Sequence, residues 1–341
     1  MSTSTPPGPL RVGVLGASSI AARRTLPALR EVPDTAVTAI ASREPEKARR
    51  FAADFDCEAV HGYAQLLDRD DIDAVYVSVP NALHFSWTRA ALEAGKHVLA
   101  EKPLTTEAAD TAALARLAHE RGLVLRENIA FVHHGLHRRV AALVAEGRLG
   151  ELRHIEAAFC FPPLPAHDVR YRPELGGGAL LDAGIYPVRL AQYFLGDDLS
   201  VAGAVLHDDP ASGVDVAGGA VLAASTGQFA TVNFGFVHTY GARYTLWGSA
   251  ARLSVDRAFT PAPTAAPVVR IEEQDHTEEI VLPAEHQFAG SVAAFAAAVR
   301  RAAATGTDPD HEGWAATTVR TAELLDAVRK SAVRVTAAEG V

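Results

Sequence analysis

From Arg11 to Asn128 the chain alternates short apolar runs with longer stretches whose apolar positions recur at helical spacing. The runs "RVGVLG", "AVTAIA", "DAVYVSVP", "KHVLAE" and "GLVLREN" carry Val, Ile and Leu without polar alternation, as strands buried on both faces do. Between them, "EPEKARRFAADF" and "TTEAADTAALARLAHERG" have helical periodicity. The second offers Thr105 or Thr106 as cap, Glu107 in its first turn and Gly122 at its end. Repeated strand, helix, strand units predict a parallel, doubly wound sheet.

Beyond Asn128 the texture changes. A helix-like "LHRRVAALVAEGRLG" leads into the strand-like "LRHIEAAFCF", then a Gly-rich segment and a helix ending at "AQYFLGDD". The runs "VAGAVLH", "GAVLAAST", "QFATVNFGFVH", "RYTLWGS" and "ARLSVDRAF" follow, separated by turn residues in the manner of an antiparallel meander. "TPAPTAAPVV" reads as a loop, because strand-like sequence lies on both sides of it. The helical runs "SVAAFAAAVRRAA" and "GWAATTVRTAELLDAVRK" close the chain. The pattern predicts a dinucleotide-binding domain over residues 1–128 and a second domain over 129–341, with no internal repeat.

Composition narrows the function. A chain of 341 residues, 48% hydrophobic, is too long for one core and fits two domains. A formal charge of -9 argues against a nucleic-acid partner, since no basic excess offsets phosphate. A small molecule is the expected partner. Cys57 and Cys160 lie in unrelated contexts, which excludes a disulfide framework and a structural zinc site and points to a reducing compartment, the cytoplasm. "MSTSTPPGPL" lacks the basic start and apolar core of a signal peptide and reads as a loose tail. No stretch approaches the ~20 apolar residues that span a bilayer, so a soluble protein without a membrane partner is expected.

"RVGVLGASSIAARRTLPAL" is a strand, a tight turn and a helix. It matches the dinucleotide fingerprint loosely, with Gly16 first, Ser18 second and Ala21 third. Gly16 makes the turn, and the amides of Ser18, Ser19 and Ile20 face a pyrophosphate at the helix N-terminus. The second strand ends "AIASREPEK", where Ser42 and Arg43 stand in place of the acidic residue that meets an unphosphorylated ribose. With Lys47 one turn on, they favour NADP(H). The fourth strand ends with Val79, Pro80 and Asn81 at the carboxyl edge of the sheet, where ligands bind, and His84 on the next helical turn either hydrogen-bonds the ligand or caps the turn.

"HVLAEKPLTT" sets Glu101 and Lys102 directly after the fifth strand, with Pro103 preventing the ladder from continuing. Lys102 therefore projects at the same carboxyl edge, beside the expected nicotinamide. In "RYRPELGGGALLDAGIYPVRLAQYFLG", Asp182 and Tyr186 are four apart and share a helical face, while Pro187 kinks the helix or begins a new one. His133, His134 and His137 include an H-x-x-x-H pair, but no third ligand accompanies it and no metal is assigned.

The Glu-Lys-Pro turn and "GGGALLDAGIYP" together resemble the glucose-fructose oxidoreductase, inositol dehydrogenase and MocA superfamily across nearly the whole chain. Many members have histidine where this chain has Tyr186. The tyrosine version is similar to glucose-fructose oxidoreductase and, more closely, to nucleotide-sugar 3-ketoreductases of antibiotic deoxysugar pathways, as is "LWGSAARLSVDRAFTP". The resemblance implies an α/β chain: a Rossmann domain and an α+β domain with a large open, mostly antiparallel sheet whose face joins subunits of a dimer or tetramer. It implies reduction of the C3 ketone of a TDP-linked keto-deoxysugar by NADPH. Tyr186 is then the general acid and Lys102 its electrostatic partner. Glu101 orients the lysine or touches the nicotinamide, and Arg170 lies near the cofactor. Asn81, Asp182, Phe236 and His238 are the expected sugar-nucleotide contacts, with Tyr240, Tyr244 and Phe259 as further candidates. An aldose or dihydrodiol dehydrogenase, or a non-catalytic NADP sensor of the same fold, are the alternatives.

Overall fold

In the computed structural model, which describes residues 8–336, the first third of the chain forms β1 (Leu10–Leu15), β2 (Thr35–Ser42), β3 (Glu58–His61), β4 (Ala74–Val77), β5 (His97–Ala100) and β6 (Leu125–Glu127). All pairings in this sheet are parallel, in the order β3-β2-β1-β4-β5-β6. The direction of winding reverses between β1 and β4, and their carboxyl ends open the crevice where such sheets bind ligands. Strand β3 has no apolar run to announce it, since Glu58, Ala59 and His61 are exposed at the sheet's edge. The expected N-terminal tail lies mostly outside the described residues.

The sheet is covered on both sides. One core joins Val12, Val14, Ile40 and Tyr76 to Phe288, Val292, Phe295 and Val299 of the helix Gln287–Thr305. The other joins Leu15, Val75, Val77 and Val98 to Leu66, Leu92 and Leu114. Each such fully buried Leu, Val or Phe contributes about 1.5–3 kcal/mol over leaving it exposed.

One helix begins later than the sequence predicts. Neither Thr105 nor Thr106 caps it. It spans Ala108–Glu120 with Glu107 at the N-cap and Asp110 as its first-turn acid. The Thr105 hydroxyl is drawn into a local turn, donating to the Glu107 carbonyl at 2.6 Å and pairing with the Thr111 hydroxyl at 2.7 Å. Gly122 ends the helix at φ +66°, as predicted.

The second sheet contains β7 (Leu152–Cys160), β8 (Leu199–Asp208), β9 (Asp215–Ala224), β10 (Phe229–Gly235), β11 (Gly241–Gly248), β12 (Arg252–Val255), β13 (Val268–Glu272), β14 (Thr277–Val281) and β15 (Val333–Thr336). Its order among the described residues is β14-β13-β12-β11-β7-β10-β9-β8-β15. The meander therefore holds for β8-β9-β10 and for β11 to β14, but breaks between them, where β7 inserts parallel to β10 and antiparallel to β11. Strand β15 pairs in parallel with β8. The sheet is mixed and mostly antiparallel.

The chain divides into two compact units, one running to Ala130 and including Gln287–Val319, the other holding Phe131–His286 and the residues from Arg320 on. The chain first crosses from one unit to the other between Ala130 and Phe131. The segment 287–319, which sequence order leaves with the second domain, packs with the first unit because the Gln287–Thr305 helix buries its Phe and Val face on the parallel sheet.

Candidate active site

In the first unit, the turn after β1 is built around Gly16. Its φ is +102°, and a Cβ there would lie 2.4 Å from the Ser78 carbonyl oxygen, so only glycine lets the ends of β1 and β4 approach. Ser18 caps the helix that follows, its hydroxyl accepting the Ala21 amide at 3.1 Å and pairing with the Ser78 hydroxyl. The amides of Ser19 and Ile20 precede the first residue that can reach a carbonyl one turn back, and with the helix dipole they fit a pyrophosphate. Ser19 is exposed and Ile20 half-buried, as access and packing require.

At the end of β2, the Ser42 hydroxyl accepts the Glu44 amide at 3.1 Å, which leaves its own hydrogen to donate. Arg43 is exposed, and its charge opposes the rise that burial gives the Tyr63 hydroxyl, while Lys47 is half-buried one turn on. A hydroxyl donor and two cations at this position suit a ribose 2′-phosphate. The turn fits NADP(H) by its donor set.

Val79 is buried, and Pro80 and Asn81 are half-buried beyond β4. His84 does not face a ligand. It is 0% exposed, with Nδ1 2.6 Å from the Pro103 carbonyl and Nε2 2.8 Å from the Val79 carbonyl, and its single N–H in the neutral form donates to one of the two, so it packs between the ends of β4 and β5. Burial pushes its pKa down.

Lys102 is half-buried at the carboxyl end of β5. Glu101 beside it is 7% exposed, and its Oε1 accepts from the Tyr76 hydroxyl at 2.7 Å and from Asn128 Nδ2 at 2.8 Å. Burial pushes the Glu101 carboxyl up, opposed by these donors and by the Lys102 charge. Asn128 in turn accepts from Ser291 at 2.8 Å, and the Leu104 amide donates to Glu127 at 2.7 Å. Glu101 is thus the anchor of the Lys102 turn. Tyr76, Asn128 and Ser291 escape the sequence reading because each lies in an apolar run or an Ala-rich helix, where a single polar residue carries no pattern.

In the second unit, a π-helical turn, Leu180–Gly184, passes without a break into the α-helix Ile185–Leu195, so Pro187 lies just past a π-bulge, where the regular i to i−4 ladder is already interrupted. Asp215 caps this entry, its Oδ2 accepting the Leu180 amide at 2.6 Å. No motif points to that aspartate, which comes from β9. Tyr186 is half-buried, with Phe131, Phe159 and Phe259 at centroid distances of 6.1, 4.8 and 5.7 Å. Asp182 is 9% exposed and accepts from Arg170 Nε at 2.6 Å.

Phe236, expected at the substrate, is 0% exposed and packs against Phe161 and Tyr171, so it is core. Its neighbour His238 is exposed, as is Tyr240, while Tyr244 and Phe259 are buried. The three histidines form no metal set: His134 caps the helix Gly135–Ala145, and buried His137 holds the Ala258 carbonyl at 3.0 Å, with burial pushing its pKa down to about 3. Among the described residues no group of three or more His, Cys, Asp or Glu side chains is placed to hold a metal ion.

Comparison with known sequences agrees with this layout. Residues 10–129 match the oxidoreductase family with NAD-binding Rossmann fold, and residues 137–254 match the GFO/IDH/MocA C-terminal domain. A dTDP-3,4-didehydro-2,6-dideoxy-alpha-D-glucose 3-reductase of Saccharopolyspora spinosa is 54% identical over 88% of this chain and 90% of its own. This chain belongs to the GFO/IDH/MocA oxidoreductase family. A reductase of the same name from Streptomyces violaceoruber is 53% identical over 95% of both chains. The crystal structure of KijD10, a 3-ketoreductase from Actinomadura kijaniata in complex with NADP and TDP-benzene, has a TM-score of 0.93 at 49% identity over 97% of this chain and all of that one. Within the GFO/IDH/MocA family the marker turn Glu101-Lys102-Pro103 and the tyrosine at 186 are both present here.

Proposed function

We propose that this protein reduces the C3 ketone of a TDP-linked 3,4-diketo-2,6-dideoxyhexose with NADPH, in deoxysugar biosynthesis. The observation that carries the reading is identity above 50% across nearly the whole chain to reductases named for that substrate, in a chain that keeps Lys102 and Tyr186.

NADPH supplies the hydride when bound. The amides of Ser19 and Ile20 take its pyrophosphate, and Ser42, Arg43 and Lys47 take the 2′-phosphate. Hydride addition to a ketone leaves an alkoxide, so the protein must deliver a proton to that oxygen. Tyr186 gives its phenolic proton there. Lys102 donates to the same oxygen and stabilises its developing charge, a role strengthened where water is excluded. Glu101 holds the backbone that carries Lys102. Asn81, Asp182 and His238 are the proposed sugar-nucleotide contacts.

A second copy of this chain is the proposed partner, as a dimer or tetramer. Cross-strand register sets Val333, Val205, Val221, Phe229 and Trp247 on one face of the second sheet, and all are more than a third exposed. Such a stripe marks an association surface. Among the described residues no helix is long and apolar enough to cross a membrane, and the cytoplasm is the proposed location.

The test is a panel of TDP-linked and free keto sugars read by NADPH absorbance. Turnover should be confined to the TDP-linked substrates and competed by TDP. Turnover on free aldoses alone would replace this reading by an aldose dehydrogenase.

A further inference from the structure

Arg170 sits between two carboxylates on the segment that leads into the Tyr186 helix. Its Nε donates to Asp182 Oδ2 at 2.6 Å, and its Nη1 donates to Asp168 Oδ1 at 3.2 Å. That same Asp168 oxygen accepts the Arg170 amide at 3.0 Å, capping the short turn Val169–Tyr171. The Arg170 carbonyl accepts the Gly178 amide at 3.0 Å. Backbone and side chain of one residue therefore fasten both the glycine segment and the first turn of the helix.

The opposite side of that turn is held by Asp215, which takes the Leu180 amide. Gly178 has φ +116°, and a Cβ there would lie 2.4 Å from Asp215 Oδ1, so glycine is what lets the carboxylate reach the helix start. Asp182 is thus fixed from two directions, four residues ahead of Tyr186. A carboxylate so little exposed keeps its charge only beside a cation or several donors. The guanidinium fork, planar and always charged, supplies both charge and direction.

We propose that Arg170 is a positioning residue that holds Asp182, charged and fixed in orientation, toward the substrate. The proposal rests on the 3-ketoreductase reading.

The experiment compares the full-length protein with Arg170→Gln, Arg170→Lys, Asp182→Asn and the double variant Arg170→Gln/Asp182→Asn. Each is measured for NADPH affinity by fluorescence, for steady-state kinetics on a TDP-keto sugar, and for its urea midpoint. Arg170→Gln should lower kcat/KM by on the order of 10–100-fold, chiefly through KM, because the ion pair that orients Asp182 is broken. Its NADPH affinity should change less than tenfold, since the pair acts through Asp182. Arg170→Lys should recover part of the loss, as should added guanidinium ion at concentrations below those that unfold the protein. The double variant should be no worse than Asp182→Asn within about threefold, because coupled residues are not additive. A tenfold weaker NADPH affinity with unchanged sugar KM, or losses that multiply in the double variant, would overturn the proposal. If Arg170→Gln does not fold, Arg170→Lys carries the same comparison. If the unmodified protein turns over no TDP-keto sugar, the functional reading falls separately. The urea midpoints then still decide the pairing: additive shifts overturn it, and non-additive shifts sustain it.

Discussion

Removing the Lys102 ammonium deletes one preorganised donor and one positive charge together. Lys102→Ala should lower kcat by ~10²–10³, with NADPH affinity changed far less. Tyr186→Phe keeps the ring against Phe159 and loses only the proton, so its cost depends on whether water or Lys102 substitutes, between ~10 and ~10⁴ in kcat. Near-normal kcat in both variants, with a deuterium isotope effect showing that hydride transfer limits the rate, would remove the assignment. Arg43 makes a separate claim. Arg43→Asp should weaken NADPH by ~1.5–3 kcal/mol and NADH much less, as titration of each cofactor would show. At this scale the sequence is legible wherever chemistry demands an unusual residue in a fixed place: a lysine and proline at a strand end, or a serine and arginine where an acid is the norm. It is illegible for groups whose identity is ordinary and whose importance comes from burial. His84 looks like a ligand residue until both its nitrogens are found beside carbonyls, and Phe236 looks like a contact until its exposure is found to be nil.

Elements repeat the contrast. Runs of Val and Ile with helical stretches between them specify the parallel sheet, because a strand buried on both faces has no other composition open to it. The edge strand β3 has mixed, exposed residues and leaves no such trace. In the second sheet, turn residues mark where strands end but say nothing of which strand lies beside which, so the insertion of β7 between β10 and β11 follows from three-dimensional pairing alone. The turn joining β1 to its helix has a tightly constrained backbone. Gly16→Ala there combines a left-handed φ with a Cβ pressed on a backbone oxygen that cannot swing aside. Urea unfolding should show a loss of about 2–4 kcal/mol, together with weakened NADPH binding. An unchanged midpoint would mean that the end of β4 can yield.

For the whole molecule, length and composition suggest two domains, and the sequence changes texture near residue 128. The chain's return to the first unit does not show in the sequence. The Ala-rich "SVAAFAAAVRRAA" has an apolar face that would suit either sheet, and only packing decides between them. Association belongs to this scale too. Phe229→Glu with Trp247→Glu places charges in the exposed stripe on the second sheet, so light scattering after gel filtration should report a smaller particle than the unmodified protein gives. An unchanged mass would place the contact elsewhere.

The discontinuity of the first unit has a consequence for how the protein is made. Its parallel sheet leaves the ribosome early, yet the helix that covers one face follows only after the 156 residues of Phe131–His286 have been translated. At ~5–20 residues per second that interval lasts roughly 8–30 s, during which Val12, Val14, Ile40 and their neighbours have Leu26 and Leu29 beside them but lack Phe288, Val292, Phe295 and Val299. A chain truncated within the second unit should therefore leave part of that apolar face uncovered and behave as an aggregation-prone fragment instead of a free-standing nucleotide-binding domain.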